Sequence, residues 1–457
     1  MAEQTRSPNL LPIAFALGVL LWLFTMTGGR QVFIEEVLGK AYDSQADHFL
    51  RGDVGVDGDA IKHEVMVVKG KSYMYFGPFP AFLRIPLNYI YPGGRGHWSR
   101  ISGFCAGMIA LAAFAGLVRM ALRGSQLSSR WQDWLGRASL VGFALGSPLL
   151  LLLGNLSIYD EAIIWGLAWS LAALYFALRS REAEGSALTR SLIAFSCCAG
   201  GALLSRATFG VPFLLIAPVL VFRLFRRNPV RNLAALFLPL GAALTFYLFL
   251  TYARFGDFSG MPMRYNANPT QRQFATKYGL FRLERIPYSA ADYLVLRWPK
   301  TQHDAPYLKA SRLPYNHPTL YVMPFTETYS SLLWSSAWII LGAVIGMAML
   351  LRPGGSAVMD RTIAVILFLQ VLLILSFMGL AQRYTAEFYP FLVFVFLFFL
   401  RQGNAAFRLR YLFIALVVVS LVINSLTTVS WLVETDLNVP VETKAVWKGF
   451  LGRTSPQ

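Results

Sequence analysis

Three groups of charged residues stand out from a chain that is otherwise sparing of charge. The first is a run of acids, Glu35, Glu36, Asp43, Asp47, Asp53, Asp57, Asp59 and Glu64, which gathers eight of the 24 acidic residues into one short stretch. Carboxylates at such density can take protons, orient hydroxyls or hold cations. Within Ala41-Tyr-Asp-Ser-Gln-Ala-Asp-His-Phe-Leu-Arg-Gly52 the spacing predicts a helix, with Gly52 suited to its C-terminal cap. Asp43 and Asp47 then fall at i and i+4 and share a face, where like charges repel slightly and one of them is free to serve a site. A solvated helix face is the plain alternative. Asp53, Asp57 and Asp59 alternate with Gly55 and Gly58, but no acid stands at the closing position of a calcium loop.

The second group is Tyr159-Asp160-Glu161, at the edge of an apolar run. Ionisable groups at that depth are costly and tend to mark function, although boundary acids hydrated by lipid headgroups would look the same. The third group is Arg206 in Leu204-Ser-Arg-Ala-Thr208 and Arg383 in Ala381-Gln-Arg-Tyr384. A guanidinium fork matches phosphate oxygens bidentately, so two such arginines suit an anionic lipid phosphate. An arginine that merely snorkels to the interface is the alternative.

The elements that must position these groups are set by composition. The chain has 457 residues, of which 56% are hydrophobic and only 14% charged, and its mean hydropathy is +0.50. A soluble domain carries about 25% charged residues. Too few polar side chains remain to cover a water-exposed surface, so the bilayer is the natural solvent. The net charge of +17 is dispersed between apolar runs, which points to basic membrane loops and away from nucleic acid. Cys105, Cys197 and Cys198 all lie inside apolar runs without C-x-x-C spacing, so disulfides and a cysteine zinc site are not expected. The first apolar run lacks a clear small-residue cleavage site and reads as a retained helix.

Eleven apolar runs, at 9–27, 99–120, 138–153, 157–178, 190–205, 209–225, 232–253, 331–351, 361–379, 385–400 and 409–432, predict an all-α polytopic membrane protein of 10–13 transmembrane helices. One set of short loops carries Arg119, Arg123, Arg130 and Arg137, then Arg179, Arg181 and Arg190, then Arg223, Arg226, Arg227 and Arg231. Arg352 and Arg361 follow, and then Arg401, Arg408 and Arg410. The alternate loops hold only Arg206 and Arg383. The positive-inside rule then places the N-terminus in the cytoplasm and the C-terminus outside. The whole of 1–457 reads as one membrane domain with extracytoplasmic loops at 28–98, which is acidic, and 254–330, which is basic and aromatic. The second loop includes Arg254, Arg264, Lys277, Arg297 and Arg312, while His303 and His317 lack ligand spacing. Segment 73–92 is apolar but carries Pro78, Pro80, Pro86 and Pro92, so it is expected to be interfacial or re-entrant and not a span. Short surface helices are expected at 288–298 and 441–452.

These features together resemble the C-type (GT-C) superfamily of polytopic glycosyltransferases. The segment Tyr42-Asp-Ser-Gln-Ala-Asp-His-Phe-Leu-Arg-Gly52 is similar to that superfamily's first-loop helix. Phe76-Gly-Pro-Phe-Pro80, Ala253-Arg-Phe-Gly-Asp257 and Gln382-Arg-Tyr384 are similar to stretches of its bacterial members. The resemblance implies a bacterial inner-membrane enzyme of cell-envelope biogenesis with its site facing outward. It would move a sugar from a polyprenyl-phosphate donor to a hydroxyl of a glycan, lipid or protein acceptor, with inversion. It implies a first-loop carboxylate as general base, best matched by Asp43, with Asp47 second and Glu36 as a substitute. Asp160 or Glu161 would orient the acceptor or a metal, and Arg206, Arg383 and Tyr384 would bind the donor phosphate. A divalent cation (Mg, Mn or Ca) is optional in this reading. A lipid-linked glycan ligase, a transporter or flippase of an anionic substrate, and a non-catalytic scaffold are the competing readings. A transporter would favour charges in mid-span and broken helices, whereas here the ionisable residues cluster at helix ends.

Overall fold

Without water, a backbone must satisfy its own N–H and C=O groups, so the apolar runs form helices. The computed structural model describes residues 8–221, 229–311, 327, 330–352, 358–435 and 438–453. Arg223, Arg226, Arg227, Arg312 and His317 lie outside the described residues. The principal helices are α1 (Leu11–Thr25), α2 (Ala41–Leu50), α3 (Phe79–Ile90), α4 (Ser99–Arg123) and α5 (Ser129–Leu145). There follow α6 (Pro148–Gly154), α7 (Ile158–Ser180), α8 (Gly185–Ser205), α9 (Ala207–Val221) and α10 (Pro229–Phe255). The last five are α11 (Ala337–Leu351), α12 (Val358–Leu375), α13 (Tyr389–Arg401), α14 (Arg410–Glu434) and α15 (Val441–Phe450).

Among the described residues, seven helices are long and apolar enough to cross a membrane: α4, α7, α8, α10, α12, the helix from Gln382 through α13, and α14. The pair α5 and α6 qualifies as an eighth, bent by 42°. The bend has a local cause. Pro148 cannot donate to the preceding turn, and the Ser147 hydroxyl accepts from the Leu149 amide at 3.1 Å, capping a new helix. The shorter apolar helices α1, α9 and α11 complete the set. These elements coincide with the eleven apolar runs, so the sequence pattern locates the helices while three of them fall short of a full crossing length.

The proline-rich segment 73–92 is no span. It closes a hairpin of β1 (Met66–Val68) and β2 (Lys71–Tyr73), then forms the 12-residue α3. About 20 residues are needed to cross. The polarity of α3 is turned inward: Arg84 and Asn88 are buried while Tyr89 and Ile90 are exposed. At 288–298 the chain makes a helical turn, Ile286–Ala291, continued by a π-turn over Asp292–Leu296. It buries Asp292 and Tyr293 and exposes Leu294, Val295 and Leu296, as an interfacial element does. The tail helix α15 forms as expected.

The two large loops meet each other. Met66 pairs with Asn266 across an isolated bridge, and Arg254 at the end of α10 donates to the carbonyls of Val54 at 3.3 Å and Met74 at 3.1 Å. Beneath them converge the start of α7, the end of α8, the start of α9 and the end of α12. The arginine-rich connections lie at the other ends of the same helices, where Arg181 pairs with Asp360. The bundle thus has one arginine-rich face and one face covered by the large loops.

Candidate active site

Under the loops, at those converging helix ends, lies a cavity of about 530 Å³. Its polar wall holds His63, Glu64, Tyr75, Tyr159, Arg206, Gln271, Glu327, Arg383 and Tyr384, and its apolar wall Phe76, Leu280, Phe281, Ile374, Phe377 and Met378. The loop reaches the helices so closely here only because residue 77 is glycine. A Cβ on Gly77 would stand 2.2 Å from the carbonyl oxygen of Leu204.

The polar wall is a connected network. Tyr159 donates its hydroxyl to Glu64 Oε1 at 2.6 Å, and Tyr75 donates to Oε2 at 3.0 Å. His63 Nε2 lies 3.3 Å from the same Tyr159 hydroxyl. The Arg383 guanidinium sits over the Tyr159 ring at 4.7 Å and near the Tyr384 ring at 5.3 Å. Arg206 also lies over the Tyr384 ring, at 5.4 Å. One tyrosine, Tyr159, therefore carries a carboxylate at its hydroxyl and an arginine on its face, which brings acid and cation to one space. Three elements supply the parts: the chain before β1, the first turn of α7, and the 3-10 turn Gln382–Phe388 that opens the last span but one.

Of the residues singled out from sequence, Arg206, Arg383 and Tyr384 meet in the cavity wall. The four acids do not line it. Asp43 is buried on α2, where it accepts from Asn88 Nδ2 at 2.8 Å and stands 3.7 Å from Arg84 Nε. Burial pushes its carboxyl pKa up, opposed by Arg84 and by the Asn88 hydrogen bond. Glu161 is fully buried and takes both of its hydrogen bonds, at 2.6 and 2.8 Å, from Arg84 Nη2. Asp160 accepts from Ser157, and its charge acts on Arg383. Asp47 shares the face of Asp43, as the spacing predicts, but reaches outward to Arg95 Nη1 at 2.6 Å. Glu36 is paired with the buried Arg100 at 2.6 Å, and burial raises its pKa also.

Arg206 and Arg383, read from sequence as suited to a lipid phosphate, each also have a carboxylate partner within the protein. Arg206 donates to Glu387 Oε1 at 2.7 Å, and Arg383 to Glu327. Both carboxylates come from chain more than 50 residues away, so local charge bias could not reveal them. Arg84, Glu327 and Glu387 were not singled out from the sequence, and Glu64 stood there only as one of the eight clustered acids. Arg84 carried a signal, being the one charge on an apolar helix. Among the described residues no three His, Cys, Asp or Glu side chains are gathered as a metal-binding group.

No protein-family model matches the sequence, and no curated protein is similar to it. Among the solved structures similar in course are the following two. One is ArnT from Cupriavidus metallidurans bound to undecaprenyl phosphate, at 13% identity and a TM-score of 0.46, over 87% of this chain and 60% of that one. The other is the archaeal oligosaccharyltransferase AglB from Archaeoglobus fulgidus in complex with an inhibitory peptide and a dolichol-phosphate, at 11% identity and a TM-score of 0.46, over 97% of this chain and 60% of that one. This chain spans about 60% of the length of each.

What the cavity can do follows from its own residues. Arg206 donates through Nε to Glu387, and its two Nη groups donate to no described residue. They remain for an anion in the cavity. Glu64, held by two hydroxyl donors, is a carboxylate able to receive a proton in the same space.

Proposed function

We propose that this protein is a membrane glycosyltransferase that moves a sugar from a polyprenyl-phosphate donor to an acceptor hydroxyl, with inversion. The observation that carries this reading is the cavity itself, whose lining divides between charged and tyrosine side chains, Arg206, Arg383, Glu64, Glu327, Tyr159 and Tyr384 among them, and apolar ones. A prenyl phosphate has that same division of character. The phosphate would lie against Arg206, Arg383 and Tyr384, with the first isoprene units along Phe377 and Met378.

In the displacement, the acceptor oxygen attacks the anomeric carbon while a carboxylate takes its proton, and the lipid phosphate leaves with the electron pair of the broken bond. The arginines offset the charge that grows on the leaving oxygen. Glu64 is the first choice for the proton acceptor because it faces the cavity. Asp43, the better match to the first-loop helix of the GT-C superfamily, and Asp47 behind it are second, since reaching the substrate requires Asp43 to leave its contacts with Asn88 and Arg84. Asp160 and Glu161 then support the site from behind, by way of Arg383 and Arg84. The positive-inside rule puts the large loops and the cavity on the extracytoplasmic side of a bacterial inner membrane, with a cell-envelope glycan, lipid or protein as acceptor.

Lipid mass spectrometry on the purified protein tests the reading. A polyprenyl-phosphate species is expected to co-purify with the wild type and to be lost from the double variant Arg206→Gln, Arg383→Gln. A wild type that retains no such lipid, even after incubation with undecaprenyl phosphate, would overturn it.

A further inference from the structure

The two arginines that face the cavity are already charge-paired inside the protein. Glu387, which takes the Arg206 bond, is fully buried, and its second oxygen has no hydrogen-bond partner. Glu327 takes the bond from Arg383, whose Nε is buried without an acceptor. Glu64 adds a third carboxylate to the same wall. Among the described residues, carboxylates therefore outnumber arginines around the cavity. An anion entering it finds unused N–H donors on Arg206 but no surplus positive charge.

Such a site discriminates among anions by their charge. A sugar-linked prenyl phosphate is a phosphodiester with one negative charge. Transfer forms the bond from acceptor oxygen to anomeric carbon and breaks the bond from that carbon to the phosphate oxygen. The acceptor proton passes to the carboxylate, and the lipid is left as a monoester. By analogy with a phosphorylated side chain, that monoester has a second ionisation near about pH 6 and approaches two charges above it. Both esters accept the same N–H bonds. The extra charge of the monoester meets Glu387 and Glu327 across a weakly screening interior.

We propose that Glu387 and Glu327 are specificity-determining residues, which make the cavity favour a singly charged prenyl phosphodiester over the doubly charged monoester and so help to expel the spent carrier. The inference rests on the lipid-phosphate reading of the cavity. It is tested by titration calorimetry at pH 8 on the full chain in detergent, with farnesyl phosphate and its methyl diester as probes. The wild type is expected to bind the diester about ten-fold or more tightly than the monoester. Glu387→Gln and, separately, Glu327→Gln are expected to move the ratio toward the monoester. Equal binding of the two esters by the wild type, a preference for the monoester, or an unchanged ratio in both variants would overturn the inference. Binding of neither ester overturns the lipid-phosphate reading itself. The wild-type ratio requires no substitution, so a variant that misfolds does not remove the test.

Discussion

Two sets of arginine–carboxylate pairs lie beneath the large loops, and they differ in access. In the first, Arg84 joins Glu161 and Asp43, and Arg100 joins Glu36, with both arginines at most 1% exposed. Arg100 also donates to Thr27, to the Gln31 carbonyl and to Thr443, fastening the first loop to α15. In the second set, Arg206 joins Glu387 and Arg383 joins Glu327, and both arginines border the cavity. The chemistry of the pairs is the same. The surroundings decide that the first set binds the protein to itself, whereas the second can also bind a ligand. Desolvating a charge pair gains little net stability, but removing one partner of a buried pair is expensive. The first set is therefore a fastening whose loss is felt in folding, and the second a site whose loss is felt in binding.

The comparison breaks most directly at Arg84. Arg84→Ala leaves Glu161 buried without a counter-ion, and the expected cost is about 3–5 kcal/mol. Thermal unfolding and size-exclusion profiles in detergent should show little folded protein. A stable Arg84→Ala would remove the distinction between the sets. Glu64→Gln should do the opposite. It keeps the shape of the side chain and the fold, yet turnover, read as release of free polyprenyl phosphate from co-purified donor, should fall by about 100-fold or more. If Asp43→Asn loses turnover while Glu64→Gln keeps it, the base belongs to the closed set and the division fails. A milder probe is Thr443→Val, which removes one hydrogen bond to the buried Arg100 and should lower stability by about 1 kcal/mol without touching ligand binding. Asp47→Asn is the smallest effect. Its partner Arg95 is half exposed, and the change in stability should stay within about 0.5 kcal/mol. A larger loss would show that Asp47 belongs to one of the two sets.

Much of this arrangement was legible in the sequence. The apolar runs located every long helix, the proline-laden segment read as no full span forms a helix of only 12 residues, and the acid-bearing α2 formed with Asp43 and Asp47 on one side. Arg206 and Arg383 were visible as the two arginines in otherwise uncharged short loops. The pairings were not legible, because they join distant chain. Glu387 lies 181 positions from Arg206, and Glu64 lies 95 from Tyr159. A local pattern says that a buried arginine needs a partner but not which carboxylate the fold will bring. For the same reason Asp43 drew attention by its helix, whereas Glu64, at the end of a three-residue 3-10 turn, gave no local sign that it would face a cavity.

The central claim is that the cavity receives a prenyl phosphate with its headgroup at Arg206 and Arg383. Photo-crosslinking with a diazirine-bearing farnesyl phosphate, followed by peptide mapping, measures this directly. Label competed away by excess farnesyl phosphate and concentrated in residues 374–384 and 204–209 is the predicted result. Label that is not competed away, or that falls on α1 and α14 while sparing both segments, would contradict it.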